Sequence, residues 1–224
     1  MKQMIPFVLS IAALSFAAAE PPPGAIAAWD PANSTPHGDS VAILDAVGGN
    51  DLRLGPNSGF SIVEIVGDPM GWRKKVLKFK GEHGGQVQSS ARLKVEADWC
   101  IRLRAMPLAG GEEAQTLLDM LYIELRYGVS REQLTLIVYP SVSDGMRPMS
   151  VSVNLPVDQW SEVVASLKGR ELTLRVGEEK ATWEVPDSFP IGPSELPFRL
   201  GSRGQEGGRP FTGMMSDISF GVPE

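Results

Sequence analysis

Apolar residues recur at every second position in several segments, and this two-residue period constrains the fold more than any other feature. The alternation is clearest in residues 99–104, 122–127, 134–138, 151–155 and 172–176. Successive side chains of an extended chain point to opposite faces, so this period is typical of antiparallel strands with one buried face. The sequence therefore predicts an all-β protein.

Glycine and proline are spread along the whole chain, with 24 Gly and 18 Pro among 224 residues. Such spacing is expected when many short strands are joined by turns. Residues 168–169 and 177–179 lie where hairpin turns are needed around a strand at 171–176. Residues 112–121 fit either a short helix or a strand. Together these patterns predict one antiparallel two-sheet sandwich or jelly roll without internal repeats.

The first 19 residues have the order of features found in secretion signals. Lys2 precedes an apolar stretch that ends in three alanines before Glu20. This stretch is shorter than the roughly 20 apolar residues that a membrane span requires. We expect residues 1–19 to be removed, and residues 20–224 to form a single exported domain that is secreted, periplasmic or on the cell surface. No integral membrane segment is expected after signal removal.

Charge and cysteine content exclude several classes of protein. The net charge is −6, and the only short basic run is residues 73–75, so nucleic acid is not an expected partner. The single cysteine, Cys100, rules out an intrachain disulfide. The core must therefore be held by burial alone, and Cys100 itself is predicted to be a small buried apolar residue.

Five segments carry motifs in a recognisable order along the chain. They are Trp29, the Gly- and Asn-containing loop 44–52, the strand 76–81 with lysine in place of a usual aspartate, the hairpin 160–177, and the closing segment 198–218. In this order they resemble the concanavalin A-like, laminin G-like domains. The resemblance implies a jelly roll of about a dozen strands in two sheets, with the last strand near the first.

Function follows less directly from such a resemblance, because this fold carries lectins, adhesion modules, glycoside hydrolases and polysaccharide lyases. Our first hypothesis is a non-catalytic module that binds a carbohydrate or an extracellular protein. The alternatives are a polysaccharide lyase on the same scaffold, and a structural surface or periplasmic protein without glycan affinity. The sequence predicts no oligomeric state.

Catalytic patterns are incomplete. The Glu-x-Asp-x-x-Glu pattern of hydrolases with this fold is absent, which argues against a carboxylate-pair mechanism. Residues 122–126 match only the second half of the Arg-x-Glu-Leu-Arg motif of jelly-roll lyases, with Tyr122 in place of the first arginine. Such lyases also use a histidine, and both histidines, His37 and His83, lie in predicted loops. The interpretation that we favour is that Glu124 and Arg126 are ordinary partners on a polar sheet face.

Candidate binding residues come from two patterns. Trp72 lies between turn-forming residues and a basic run, so of the five tryptophans it is the best candidate to stack on a sugar. The favoured alternative is that its ring folds over the edge of the core, because tryptophan is usually mostly buried. Trp29, Trp99, Trp160 and Trp183 are expected in the core. The polar strand positions expected to face a ligand are Arg102, Arg104, Glu124, Arg126 and Tyr139. Convergence of these five in one groove beside a histidine would favour the lyase hypothesis.

Calcium is the one metal that the sequence leaves open. Members of the family that the chain resembles often bind calcium at the rim of the sandwich, which implies a site formed by Asp45, Asn50, Asp51 and Asp217. Calcium prefers six to eight oxygen ligands of this type. The alternative is turn chemistry, in which Asp and Asn side chains bond to their own backbone. Without paired histidine or cysteine ligands, zinc is not expected.

Overall fold

The computed structural model describes residues 20–37, 40–54, 60–66, 73–81, 87–89, 93–95, 97–141, 147–190, 194–203 and 208–223. The predicted signal, Trp72 and His83 lie outside these residues, as does the side chain of His37. In the described part of the chain the only helical element is the single 3₁₀ turn Val129–Arg131. The protein is all-β, as predicted. No helix among these residues has the length and apolar character to cross a membrane.

The described residues contain eighteen strands, numbered here in chain order. They are β1 (Ala25–His37), β2 (Ser40–Asp45), β3 (Leu52–Leu54), β4 (Phe60–Val66), β5 (Arg73–Lys80), β6 (Val87–Ser89), β7 (Leu93–Val95), β8 (Trp99–Pro107), β9 (Ala114–Asp119), β10 (Ile123–Gly128), β11 (Gln133–Val138), β12 (Met149–Asn154), β13 (Ser161–Lys168), β14 (Glu171–Val176), β15 (Glu179–Glu184), β16 (Ser194–Leu196), β17 (Arg199–Leu200) and β18 (Thr212–Gly221).

Antiparallel pairing links most strands in the order β12-β11-β10-β9-β17-β6-β3-β2-β1-β18-β8-β13-β14-β15. In addition β5 pairs with β18 and β4, and β7 pairs with β16 in a separate two-stranded ladder. The two ends of the long path come together, because β12 lies against β14 and β15 without pairing to them. The path therefore folds over on itself into the two layers of a jelly-roll sandwich, and β18 lies beside β1 as the resemblance implied.

The inner faces of the two layers form one core. On β8 the residues Ile101, Leu103 and Ala105 point inward, and on β10 Leu125 and its neighbours two positions away do the same. Burying such side chains contributes about 1.5–3 kcal/mol each before the entropy cost is counted. The apolar residues that alternate in the sequence are therefore the residues that are buried in the core. Cys100 is also buried, on the outer side of β8, and forms no disulfide.

Two local predictions are resolved by the sheet. Residues 112–121, which fitted a helix or a strand, contain strand β9, because their backbone groups pair with β10 and β17. The prediction that Trp183 is a core residue is wrong: it is 52% exposed on β15, which ends the strand path and pairs only with β14 among the described strands. Trp29 and Trp99 are buried as expected, and Trp160 is half-buried.

Candidate functional site

The outer face of β10 carries a polar cluster centred on a buried carboxylate. Ile123, Leu125 and Tyr127 point into the core, so Glu124 and Arg126 point away from it. A side chain on an outer sheet face is normally solvated, but Glu124 is fully buried. The groups that cover it come from three other parts of the chain, and all of them are hydrogen-bond donors.

Both oxygens of the Glu124 carboxylate are engaged. Oε1 accepts hydrogen bonds from Thr116 Oγ1 at 3.1 Å, Arg126 Nε at 3.0 Å and Arg209 Nη1 at 3.3 Å. Oε2 accepts from Arg126 Nη2 and from the Tyr139 hydroxyl, both at 2.8 Å. The two bonds from Arg126 form the bidentate arrangement that a guanidinium makes with a carboxylate. The carboxylate thus fixes the positions of the groups around it.

These contacts determine the protonation of the cluster. Burial by itself would raise the pKa of Glu124, but hydrogen bonds from Arg126 and Tyr139 and the charges of Arg126 and Arg203 outweigh it and lower the pKa. Burial and the Glu124 carboxylate raise the pKa of Tyr139. Glu124 is therefore ionised and Tyr139 is neutral at physiological pH.

Three arginines surround this carboxylate, and we call Arg126, Arg203 and Arg209 the arginine rim. Their side chains are 28%, 40% and 34% exposed, whereas the Glu124 side chain is 1% exposed. The Arg203 guanidinium lies 5.6 Å from the centre of the Tyr139 ring and has its Nε 3.7 Å from Glu124 Oε2. The acid is inaccessible, and the cationic groups that hold it reach solvent.

A second ion pair lies beside the arginine rim on the same face. Asp119 is the register partner of Glu124 on β9, and its carboxylate accepts a 3.1 Å hydrogen bond from Arg199 on β17. Both residues are buried. Their charges compensate each other, so this pair contributes no net charge to the face.

The sequence-predicted binding residues are divided between two faces. Glu124, Arg126 and Tyr139 meet in the cluster. Arg102 and Arg104 lie on β8, in the opposite layer, where their inward neighbour Leu103 faces the same core as Leu125. The single groove of five residues that would have favoured the lyase hypothesis is therefore not formed, and the position of Trp72 lies outside the described residues.

Arg102 and Arg104 line a cavity of about 520 Å³ on that opposite face, beside Glu162, Asp217 and the segment 20–22. Arg104 lies over the Trp160 ring at 5.5 Å from its centre. Both basic and acidic side chains line this cavity, so it is not a site of one charge.

The residues expected to bind calcium make other contacts. The Asp45 carboxylate accepts backbone N–H groups from Ala28, Val47, Gly48 and Asn50 at 2.9–3.1 Å, and the Asn50 side-chain amide at 3.3 Å. N–H groups aimed at both oxygens occupy the lone pairs that a cation would need. Backbone hydrogen bonds outweigh burial and lower the pKa of Asp45.

The other two carboxylates are also committed. The Asp51 side chain accepts the backbone N–H of Asp45 at 3.0 Å, and Asp217 forms an ion pair with Lys74. Across the described ranges, no group of three or more His, Cys, Asp or Glu side chains is placed to hold a metal ion. The loop therefore fits the turn interpretation and does not fit calcium.

Sequence reasoning missed Thr116, Arg203 and Arg209 as members of the cluster. Arg203 and Arg209 belong to the closing segment that carried the family resemblance, and a backbone bridge between Arg203 and Gly208 turns that segment back over β9. The Arg209 carbonyl also accepts the Thr116 N–H at 2.9 Å, which ties the segment to the sheet. Nothing in the sequence pattern predicted which face this segment covers.

Among known proteins, this chain is similar to solved structures in its fold, and no similarity in sequence to a family model or a curated protein was found. Among solved structures, the binding domain of Paraclostridial Mosquitocidal Protein 1 has a TM-score of 0.61 at 11% identity, covering 89% of this chain and 49% of that one. A mutant of HCR/D gives 0.63 at 11% identity, covering 90% and 48%.

Trypanosoma rangeli sialidase in complex with sialic acid gives a TM-score of 0.60 at 14% identity, covering 91% of this chain and 31% of that one. The chain thus spans half or less of the length of each of these neighbours. At such identities the likeness shows a β-sandwich fold, while membership of the concanavalin A-like, laminin G-like family stays a prediction.

Proposed function

We propose that this chain is an exported, non-catalytic module that binds a carbohydrate through the sheet face carrying the arginine rim. The observation that supports this most strongly is the rim itself: three partly exposed guanidiniums held in fixed positions around a buried carboxylate. Hydrogen-bond donors that are already ordered bind a ligand at a lower entropy cost than mobile side chains do.

The state of the cluster favours binding over catalysis. A general base is most effective when its pKa lies near the working pH, but the pKa of Glu124 is lowered, and Arg126 and Tyr139 donate to both of its oxygens. The pKa of Tyr139 is raised, so its hydroxyl is a weak proton donor at neutral pH. Both directions support a binding role for the cluster over proton transfer.

Structural neighbours agree with this proposal at the level of the fold. One neighbour is described as the binding domain of a mosquitocidal protein, and another is a sialidase in complex with sialic acid. Those descriptions belong to those proteins. For this chain they make a binding role on a sandwich scaffold a reasonable hypothesis.

A glycan and polysaccharide array probed with the purified protein tests the proposal. We expect binding that Arg209→Gln weakens, because Arg209 is 34% exposed and contacts Glu124 through one nitrogen only. The matched control is Arg175→Gln on β14, whose side chain is 35% exposed and pairs with Glu162 in the opposite layer. Absence of any glycan signal from the folded protein would contradict the proposal, as would equal loss in both variants.

A polysaccharide lyase is the second candidate, because Glu124, Arg126 and Tyr139 do converge within hydrogen-bonding distance. The test is incubation with uronate-containing polymers and measurement of the ultraviolet absorbance of unsaturated products. Product that accumulates with the native protein and not with Tyr139→Phe would establish the lyase. We expect none from either protein.

A further inference from the structure

We propose that the ligand of the arginine rim is an acidic glycan, a polysaccharide whose sugars carry carboxylate groups. This inference rests on the proposed function and narrows it to one class of ligand. It is drawn from the charge, the free donors and the neighbouring hydroxyl groups of one sheet face.

The charge of the face is positive on a protein that is negative overall. Glu124 contributes one negative charge and the arginine rim three positive charges, so the cluster carries two more positive than negative charges. The adjacent Asp119 and Arg199 cancel each other. The chain as a whole has a net charge of −6, which makes this face a local site for anions.

The rim has donors left over after it has bound Glu124. Arg209 uses Nη1 alone, and Arg126 uses Nε and Nη2, so that within the described residues Arg209 Nε and Nη2 and Arg126 Nη1 have no protein acceptor. Arg203 contacts Tyr139 through Nη2 and Glu124 through Nε, so its Nη1 also has no protein acceptor within the described residues. A guanidinium presents five N–H groups in a planar fork that matches a carboxylate.

Hydroxyl groups extend the face beyond the rim. Arg126 is the register partner of Thr135 on β11, and Thr135 is the partner of Ser152 on β12, so the three side chains form a row across the strands. Thr135 and Ser152 share a 2.9 Å hydrogen bond between their hydroxyls. Exposed Ser150 follows on the same face of β12. Cations at one end and hydroxyls along the row fit a sugar chain that carries carboxylates.

The experiment compares binding of the purified full protein to polygalacturonate and to the same polymer after chemical reduction of its carboxyl groups. Isothermal titration calorimetry at low ionic strength provides the affinities, with dextran sulfate and neutral dextran as further ligands. The variants are Arg203→Gln and Arg209→Gln, each of which keeps Arg126 on Glu124, with Arg175→Gln as the control from the opposite layer.

We expect the native polymer to bind at least about tenfold more tightly than its reduced form, with each rim variant losing a similar factor and the control losing none. Added salt should weaken binding, because the partly exposed charges are screened. Dextran sulfate is expected to bind less tightly than polygalacturonate.

Three results would overturn the inference. Equal affinity for native and reduced polymer would refute an acidic ligand and leave the carbohydrate-binding function standing. Absence of binding to any polymer or arrayed glycan would refute the function as well. Binding of every polyanion that is unaffected by Arg203→Gln and Arg209→Gln would show non-specific ion exchange instead of a site.

Discussion

The hydroxyl of Tyr139 donates a 2.8 Å hydrogen bond to the Glu124 carboxylate, although 15 positions separate the two residues along the chain. The β10–β11 register brings them together, because the strands pair residue by residue from Ile123 with Val138 onward, and the Tyr139 N–H bonds to the Tyr122 carbonyl. The outer face of the sheet is thus organised by the same register that fills the core.

Replacing Glu124 by glutamine should destabilise the protein by about 2–3 kcal/mol, since the partly exposed arginine rim would lose the buried counter-charge that it surrounds. The free energy of unfolding from urea denaturation measures the change. Glu162→Gln is the control, because Glu162 is 50% exposed and such a surface pair contributes less than about 1 kcal/mol. Equal effects of the two substitutions would show that the cluster has no special role in stability.

Acidification should remove part of the stability that Glu124 provides. Its pKa in the folded protein is lowered from 4.5, so its contribution is fully present above the unfolded value and is lost as the pH falls through the folded value. Urea unfolding at neutral and acidic pH should therefore show a gap between the native protein and Glu124→Gln that narrows below about pH 4.5. A gap that stays constant would contradict the assigned pKa shift.

Gly201→Ala should destabilise the protein by about 3–5 kcal/mol. Gly201 has a φ of +73°, and a Cβ there would overlap the ring of buried Phe79. Gly169→Ala is the control, with a φ of +59° and no atom within 4 Å of the added Cβ, so it should cost only the left-handed strain of about 1–2 kcal/mol. Thermal or urea unfolding of both variants measures the loss of stability. Equal losses in the two variants would show that the contact with the Phe79 ring is irrelevant.

Calcium should leave the melting temperature unchanged relative to EDTA, because N–H donors occupy both oxygens of Asp45. Asp45→Asn should lower the stability by about 2 kcal/mol, since the amide nitrogen would face donors that need an acceptor. Differential scanning fluorimetry with and without calcium tests the first expectation. A rise in melting temperature with calcium would contradict this expectation and would support a metal site at Asp45, Asn50 and Asp51.

Trp183→Ala should cost less than about 1 kcal/mol and Trp29→Ala about 3–5 kcal/mol. Trp183 is 52% exposed on the end strand, whereas Trp29 is buried and its ring centre lies 4.7 Å from that of Phe198. Urea unfolding of both variants measures the difference. Similar losses would mean that Trp183 is covered in solution.

Local pattern predicted the strands well because burial and pleating share a period of two. Strand β14 between the turns at Gly169 and Gly177 is an example, since both glycines have the positive φ that a tight turn favours. The two-residue period cannot predict which strand lies at the end of the path of paired strands. Trp183 has the alternation of a core residue but is 52% exposed on β15, the last strand of that path.

The site was predicted in part for a similar reason. Glu124, Arg126 and Tyr139 are close in sequence, and a hairpin register is enough to bring them to one place. Arg203 and Arg209 join them only through a non-local turn over β9, and Arg102 shares the alternation of Arg126 while facing away from it on the other layer. Period alone identifies a face of a strand and not the layer to which that strand belongs.

The position of β18 has a consequence for how the molecule reaches its native state. This strand pairs with β1, β5 and β8, and its register joins Ala25 to Gly221. Because β18 is synthesised after β1, β5 and β8, the edges of these three strands that pair with it stay unpaired until it has been made. Contacts between such distant parts of a chain slow folding, so we expect the closure of the sandwich around β18 to be a late step.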